Sequence, residues 1–223
     1  MKNIKALSLA FLLTLFGSSH ALAEYGVTVG LTGSMAMIEA SGQETEGGEV
    51  SRGEVSNNTG VGSIFVEYND ILGSGFSLGV DYIPGSADVS SSLSQRTDAN
   101  SEGDSATNKA QAEADGHTTY YATYGTDSGA YLKVGYVQAD LNTLETLGTG
   151  SKYANETLSG WEVGAGVEFD VYASTVGRFE LTHIDYGDIE IRSSVARAGV
   201  ATNNLIEADL DVTRLSASLG YKF

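Results

Sequence analysis

The chain ends in Asp211-Val212-Thr213-Arg214-Leu215-Ser216-Ala217-Ser218-Leu219-Gly220-Tyr221-Lys222-Phe223, and the period of that stretch decides the fold. Side chains of a strand alternate between its two faces. Leu215, Ala217, Leu219, Tyr221 and Phe223 therefore share one face, and Arg214, Ser216, Ser218, Gly220 and Lys222 share the other. One face suits hydrocarbon and the other suits water, which is the requirement of a barrel with a polar lumen and a lipid-facing wall. The aromatic pair Tyr221 and Phe223 then falls where a bilayer interface would lie.

The N-terminus points to export. Lys2 and Lys5 precede an apolar run from Ala6 to Phe16, and Ala21-Leu22-Ala23 offers small residues at a cleavage position. Residues 1–23 read as a cleaved signal peptide and residues 24–223 as one barrel domain. The apolar run is shorter than the ~20 residues a membrane helix needs. No later stretch is comparable.

Composition narrows the partners and the chemistry. Loss of Lys2 and Lys5 takes the formal charge from -17 to −19, so nucleic acid is not an expected partner. With no cysteine there is no disulfide, thiol nucleophile or thiolate metal site, and no cofactor is expected. Glycine at 28, tyrosine at 12 and a single proline suit a strand-rich chain, because proline deletes a ladder donor.

Alternating segments recur at about residues 25–38, 59–69, 75–87, 117–125, 130–139, 160–169, 176–191 and 211–223. Short connections near 70–74, 126–129 and 171–175 alternate with long polar ones near 41–58, 88–116, 142–157 and 193–205. The expectation is an all-β, eight-stranded antiparallel up-and-down transmembrane β-barrel, with short periplasmic turns and long extracellular loops. A secreted β-sandwich also alternates, but its core faces would be apolar. Here the apolar faces oppose faces carrying Glu, Arg, Lys and Ser, the reverse of a soluble core.

Gly160-Trp161-Glu162-Val163-Gly164-Ala165-Gly166-Val167-Glu168-Phe169, the segment from Phe179-Glu180 to Asp185-Tyr186-Gly187, and the Leu219-Gly220-Tyr221-Lys222-Phe223 ending together resemble the OmpA-like and opacity-type family of eight-stranded outer-membrane barrels. The resemblance spans the mature chain and is most specific in its last three strands. Where that family often carries Tyr-Arg-Tyr after the glutamate of strand seven, this chain has Leu181-Thr182-His183, which removes one lumen cation. No peptidoglycan-binding domain is expected after the barrel. The resemblance implies the outer membrane of a Gram-negative bacterium, with lipid and lipopolysaccharide around a monomeric barrel. It also implies that Tyr221 and Phe223 in the C-terminal strand address the barrel-assembly machinery.

Inward parity collects Glu67, Asp81, Glu162, Glu168 and Glu180 with Lys133, Arg178, Arg214 and Lys222. An eight-stranded barrel is just wide enough for its side chains to fill, so these charges should pair, since isolated ones would be costly. The expected pairing sets Arg178 and Arg214 against Glu162, Glu168 and Glu180, tying strands six to eight together. A water-conducting passage is the alternative.

A remoter reading is a hydrolase of outer-leaflet lipid, which would need an outward histidine between a serine and an acid; His183 has the parity for it. The Gly-rich runs at 60–62, 148–152 and 164–166 lack the following helix or the spacing of a nucleotide loop. Glu44, Glu46, Glu49 and Glu54, and Asp98, Glu102, Asp104, Glu113 and Asp115, read as solvated loop charges. Their alternative role is divalent-cation bridging to lipopolysaccharide, although no spacing matches a calcium loop. The function expected is non-enzymatic, structural or in surface contact through the extracellular loops, with a narrow passive channel as the alternative.

Overall fold

A computed structural model describes residues 26–46, 49–89, 94–99, 105–110, 112–144, 152–195 and 202–223. The signal-peptide assignment lies outside them. Among the described residues eleven strands are formed: β1 (Val27–Glu46), β2 (Glu49–Tyr68), β3 (Phe76–Tyr82), β4 (Ser86–Asp88), β5 (Ser94–Ala99), β6 (Ser105–Ala110), β7 (Ala112–Gly125), β8 (Ala130–Thr143), β9 (Glu156–Tyr172), β10 (Thr175–Arg192) and β11 (Leu205–Lys222). The sheet runs β3-β2-β1-β11-β10-β9-β8-β7, and β3 pairs back with β7. Eight antiparallel strands thus close a ring, with β4 adding to β7 and β5 pairing with β6. Closure satisfies every wall strand on both sides at the level where β3 sits, as a hydrocarbon surround demands.

Two of the expected long loops are strand instead. β1 and β2 remain paired from Val27↔Tyr68 to Glu46↔Glu49, so residues 41–46 and 49–58 are paired strand rather than loop. β1 and β11 likewise pair out to Thr45↔Leu205. The region 88–116 contains β4, β5, β6 and the start of β7, and β8 and β9 extend into 142–157. The physical reason is that alternation is imposed by burial of one face, while backbone pairing needs no apolar side chains. Glu44, Glu54, Glu113 and Asp115 accordingly lie on strands, and Glu102 and Asp104 fall outside the described residues.

The wall is inverted through the middle of the barrel. Leu31, Met35, Leu78, Leu132, Val163, Leu181, Leu215 and Leu219 are exposed on the outside, whereas Thr28, Glu67, Thr119, Glu162, Thr182 and Arg214 are buried inside. Aromatic pairs bound this belt. Phe76 with Tyr124 (4.8 Å), Phe169 with Phe179 (5.7 Å) and Tyr221 with Phe223 (4.9 Å) lie toward the short turns, and Tyr136 with Trp161 (5.7 Å) lies toward the other end. Such girdles mark the two interfaces of an outer-membrane barrel.

Above Tyr136 and Trp161 the polarity reverses. Ile38, Val137, Ala139, Leu141, Leu158, Ile184, Tyr186, Leu210 and Val212 form one buried cluster, while Glu39, Asp185 and Glu207 on the same strands are exposed outward. The outer half of the barrel is built like a soluble β protein, apolar inside and polar outside.

Candidate functional site

Beneath this apolar cap Glu67, Asp81, Lys133, Glu162, Arg178 and Arg214 are buried, Glu168 and Glu180 are partly buried, and the Lys222 side chain is 40% exposed. Local strand geometry puts them there: along β9, Glu162 and Glu168 alternate with outward Trp161, Val163 and Val167, and along β11, Arg214 alternates with Leu215. Glycines make room for the larger inward groups. A Cβ on Gly166 would stand 2.5 Å from the Tyr131 ring and 2.7 Å from the Phe179 carbonyl.

The pairing crosses the lumen more than the strand order suggests. Arg178 donates through Nη1 and Nη2 to the two oxygens of Glu67, at 3.0 and 2.6 Å, and through Nε to Glu168 at 2.7 Å. This fork matches the planar geometry of a carboxylate. Lys222 donates to the other oxygen of Glu168 at 2.6 Å. Lys133 lies between Glu162 (2.8 Å) and Glu180 (3.0 Å), and the Tyr131 hydroxyl donates to Glu180 at 3.0 Å. Arg214 pairs with Glu162, reaches Thr182 through Nε at 3.5 Å, and stands 3.9 Å from Asp81, whose other oxygen accepts from Ser63 at 2.6 Å.

The expectation that Arg178 and Arg214 share Glu162, Glu168 and Glu180 is therefore corrected at Glu180, which is held by Lys133 and Tyr131. It is also too local: Glu67 on β2 and Asp81 on β3 join the opposite wall to β10 and β11, and Lys133 on β8, next to β9, joins that strand to β9 and β10. Sequence separation hid this, because pairing across a closed ring depends on shear and tilt.

Several lumen residues had no charge to draw attention to them. Tyr121 lies under Lys133 (4.5 Å to the ring centre), and Phe65 and Tyr131 lie under Arg178 (5.2 and 5.8 Å), in cation–π contacts. Ser34 and Ser216 share a hydrogen bond of 2.8 Å, as do Thr32 and Ser218. Their parity, the same as that of Lys133 and Arg214, was the available signal. This layer holds a cavity of about 20 Å³ bordered by Asp81, Lys133, Arg178 and Arg214, the room of about one water molecule. A wider vestibule of about 320 Å³ opens on the short-turn side, beside Glu67, Asp127, Glu168 and Lys222.

His183 lies on the outer wall, about half exposed. Its Nδ1 is 3.3 Å from Thr213 Oγ1 and its Nε2 is 3.6 Å from Asp211. The serine expected for a hydrolase is not among these partners. Among the described residues no three His, Asp or Glu side chains converge as metal ligands.

A closed eight-stranded ring, an apolar belt between aromatic girdles and a charged interior together define a β-barrel protein of the outer membrane. The chain belongs to the family described as outer membrane protein beta-barrel domain, which matches residues 9–223. No curated protein shows significant similarity to the sequence. Among solved structures, the outer membrane protein OprG from Pseudomonas aeruginosa is 14% identical over 89% of this chain and 96% of that one, with a TM-score of 0.54. The protease OmpT from Escherichia coli (12% identity, 89% and 97% coverage, TM-score 0.47) and the attachment invasion locus protein Ail of Yersinia pestis (11%, 87% and 99%, 0.38) are more distant in shape. The likeness to OprG is one of fold.

Proposed function

We propose that the protein is a non-enzymatic outer-membrane barrel whose closed interior serves as a rigid support, and whose extracellular face makes contact with the surroundings. The observation that carries this reading is the filled lumen. Charged side chains interlock across it around a cavity of about 20 Å³, the size of one water, and a packed apolar layer lies above. Ions cross membranes with part of their hydration or with substituted ligands, and a forked Arg178–Glu67 pair with its carboxylate 2% exposed offers neither. His183 is held by Thr213 and Asp211 rather than by a serine, so the hydrolase reading is not taken up.

In the same proposal, residues 1–23 are removed on export and the monomeric barrel sits in lipid and lipopolysaccharide. The C-terminal strand is its signal to the assembly machinery. Phe223 supports this last part: its backbone N–H donates to Val27 O at 2.9 Å, so the last residue seals the first strand to the last.

The second reading, a narrow passive channel, is favoured by the vestibule of about 320 Å³ leading to the plug. Single-channel recording on refolded protein in planar bilayers separates the two. A silent bilayer is the expected result. Reproducible conductance steps that grow in Arg178→Ala or Arg214→Ala would replace the support by the channel.

A further inference from the structure

β2 is paired unequally on its two sides. β1 accompanies it along its whole length, from Tyr68 to Glu49. β3 pairs with it only from Ile64↔Tyr82 to Tyr68↔Leu78. Farther out, the Asn57 side chain donates to the Asp88 carbonyl of β4 at 2.9 Å. Beyond that point residues 50–56 have no strand on their outer edge among the described residues, and all seven are exposed. Half of their backbone N–H and C=O groups point along that edge, which makes it a template for another extended chain. Val50 and Val55, 48% and 37% exposed, add apolar contact on opposite faces.

The face beside this edge is predominantly acidic. In register across β2, β1, β11 and β10 lie Ser56, Glu39, Asp211 and Asp185; then Glu54, Ser41, Asp209 and Asp188; then Arg52, Gln43, Glu207 and Glu190. Their outer side forms a groove of about 770 Å³. Eight carboxylates stand in these rows against Arg52, with Arg192 beyond, in a chain of formal charge -17. A field of this kind attracts cations to the surface from a distance, and a side chain on an added strand would lie next to Glu54.

We propose that the edge of β2 over residues 50–56 docks an extended peptide carrying lysine or arginine at alternate positions, taken up as an additional antiparallel or parallel strand. Main-chain hydrogen bonds would hold the peptide, and a basic side chain beside Glu54, within the field of the acidic rows on β1, β11 and β10, would select it. This deepens the surface-contact reading and rests on it, by naming the place and the chemistry of the contact. The edge lies beyond the aromatic girdle, so the peptide meets it from the aqueous side.

The test uses the full refolded barrel in zwitterionic detergent. Three fluorescent peptides of about ten residues serve as probes: alternating Lys and Thr, alternating Lys and Pro, and alternating Glu and Thr. The Lys-Thr peptide should bind about tenfold tighter than either other probe, should slow amide exchange in residues 50–56, and should lose affinity in Glu54→Lys. Equal binding of the Lys-Thr and Lys-Pro peptides would mean attraction by charge without strand addition, and it overturns the proposal, as does the absence of binding. Exchange in residues 50–56 already as slow in the free protein as in β1 would show the edge to be covered, and overturns it too. The support reading is judged separately by the bilayer recordings, so a silent bilayer with no peptide binding removes only the docking site.

Discussion

Replacing Arg214 by methionine removes the cation that joins β11 to β9 inside the plug while keeping a long side chain in its place. Arg214 is 4% exposed, and its partner Glu162 is fully buried. After the change Glu162 retains only Lys133, at 2.8 Å, which Glu180 also claims at 3.0 Å, and Asp81 loses its nearest cation. Removing one partner of a buried pair costs about 3–5 kcal/mol, since the charge left behind must still be desolvated. With a urea slope of about 2 kcal/mol per M, the unfolding midpoint should fall by roughly 2 M. The assay is urea unfolding in lipid vesicles followed by heat-modifiable gel mobility. Two companion proteins make the number interpretable. Arg192→Met breaks a pair that is exposed by 61% and 57% and should cost about 0–1 kcal/mol. The double change Arg214→Met with Glu162→Gln removes both charges and should recover much of the loss. A midpoint for Arg214→Met equal to that of Arg192→Met refutes the reasoning: the lumen would then be wet enough to solvate Glu162, and the channel reading would gain.

Trp161 is the protein's single tryptophan and stands 64% exposed on the belt, so its emission should shift to the blue on insertion into vesicles and be quenched by brominated acyl chains; an unshifted, unquenched emission would place it in water. The natural absence of cysteine allows topology to be read with single cysteines and a membrane-impermeant maleimide on intact cells: Ser51→Cys should be labelled and Ser128→Cys should not, and labelling at Ser128 would reverse the barrel. Gly166→Ala brings a Cβ to 2.5 Å from the Tyr131 ring, and the displaced tyrosine should cost about 1–3 kcal/mol in the same urea assay; a midpoint equal to that of the unaltered protein would mean the ring moves freely.

The sequence alone determined the architecture, because the bilayer writes its demands in a period of two. Leu215, Leu219 and Tyr221 against Arg214, Ser216 and Lys222 separate lipid face from lumen face whatever their neighbours are. The same rule assigned nine charges to the lumen face. It even held a signal that went unread: along β8 the apolar parity passes from Leu132, Val134 and Tyr136 to Val137, Ala139 and Leu141, marking where the strand leaves hydrocarbon and enters water with its face reversed. The extent of β1 and β2 was not legible, since a strand with both faces in water shows no period. Nor was the choice of partners. Glu180 could have taken any of four cations from parity alone; the register of β8, β9 and β10 brings Lys133 to it, and the closed ring sends Arg178 across to Glu67. Parity is a local property of the chain, whereas distance across a barrel is fixed by the stagger of all eight strands together, and that stagger exists only once the ring is closed.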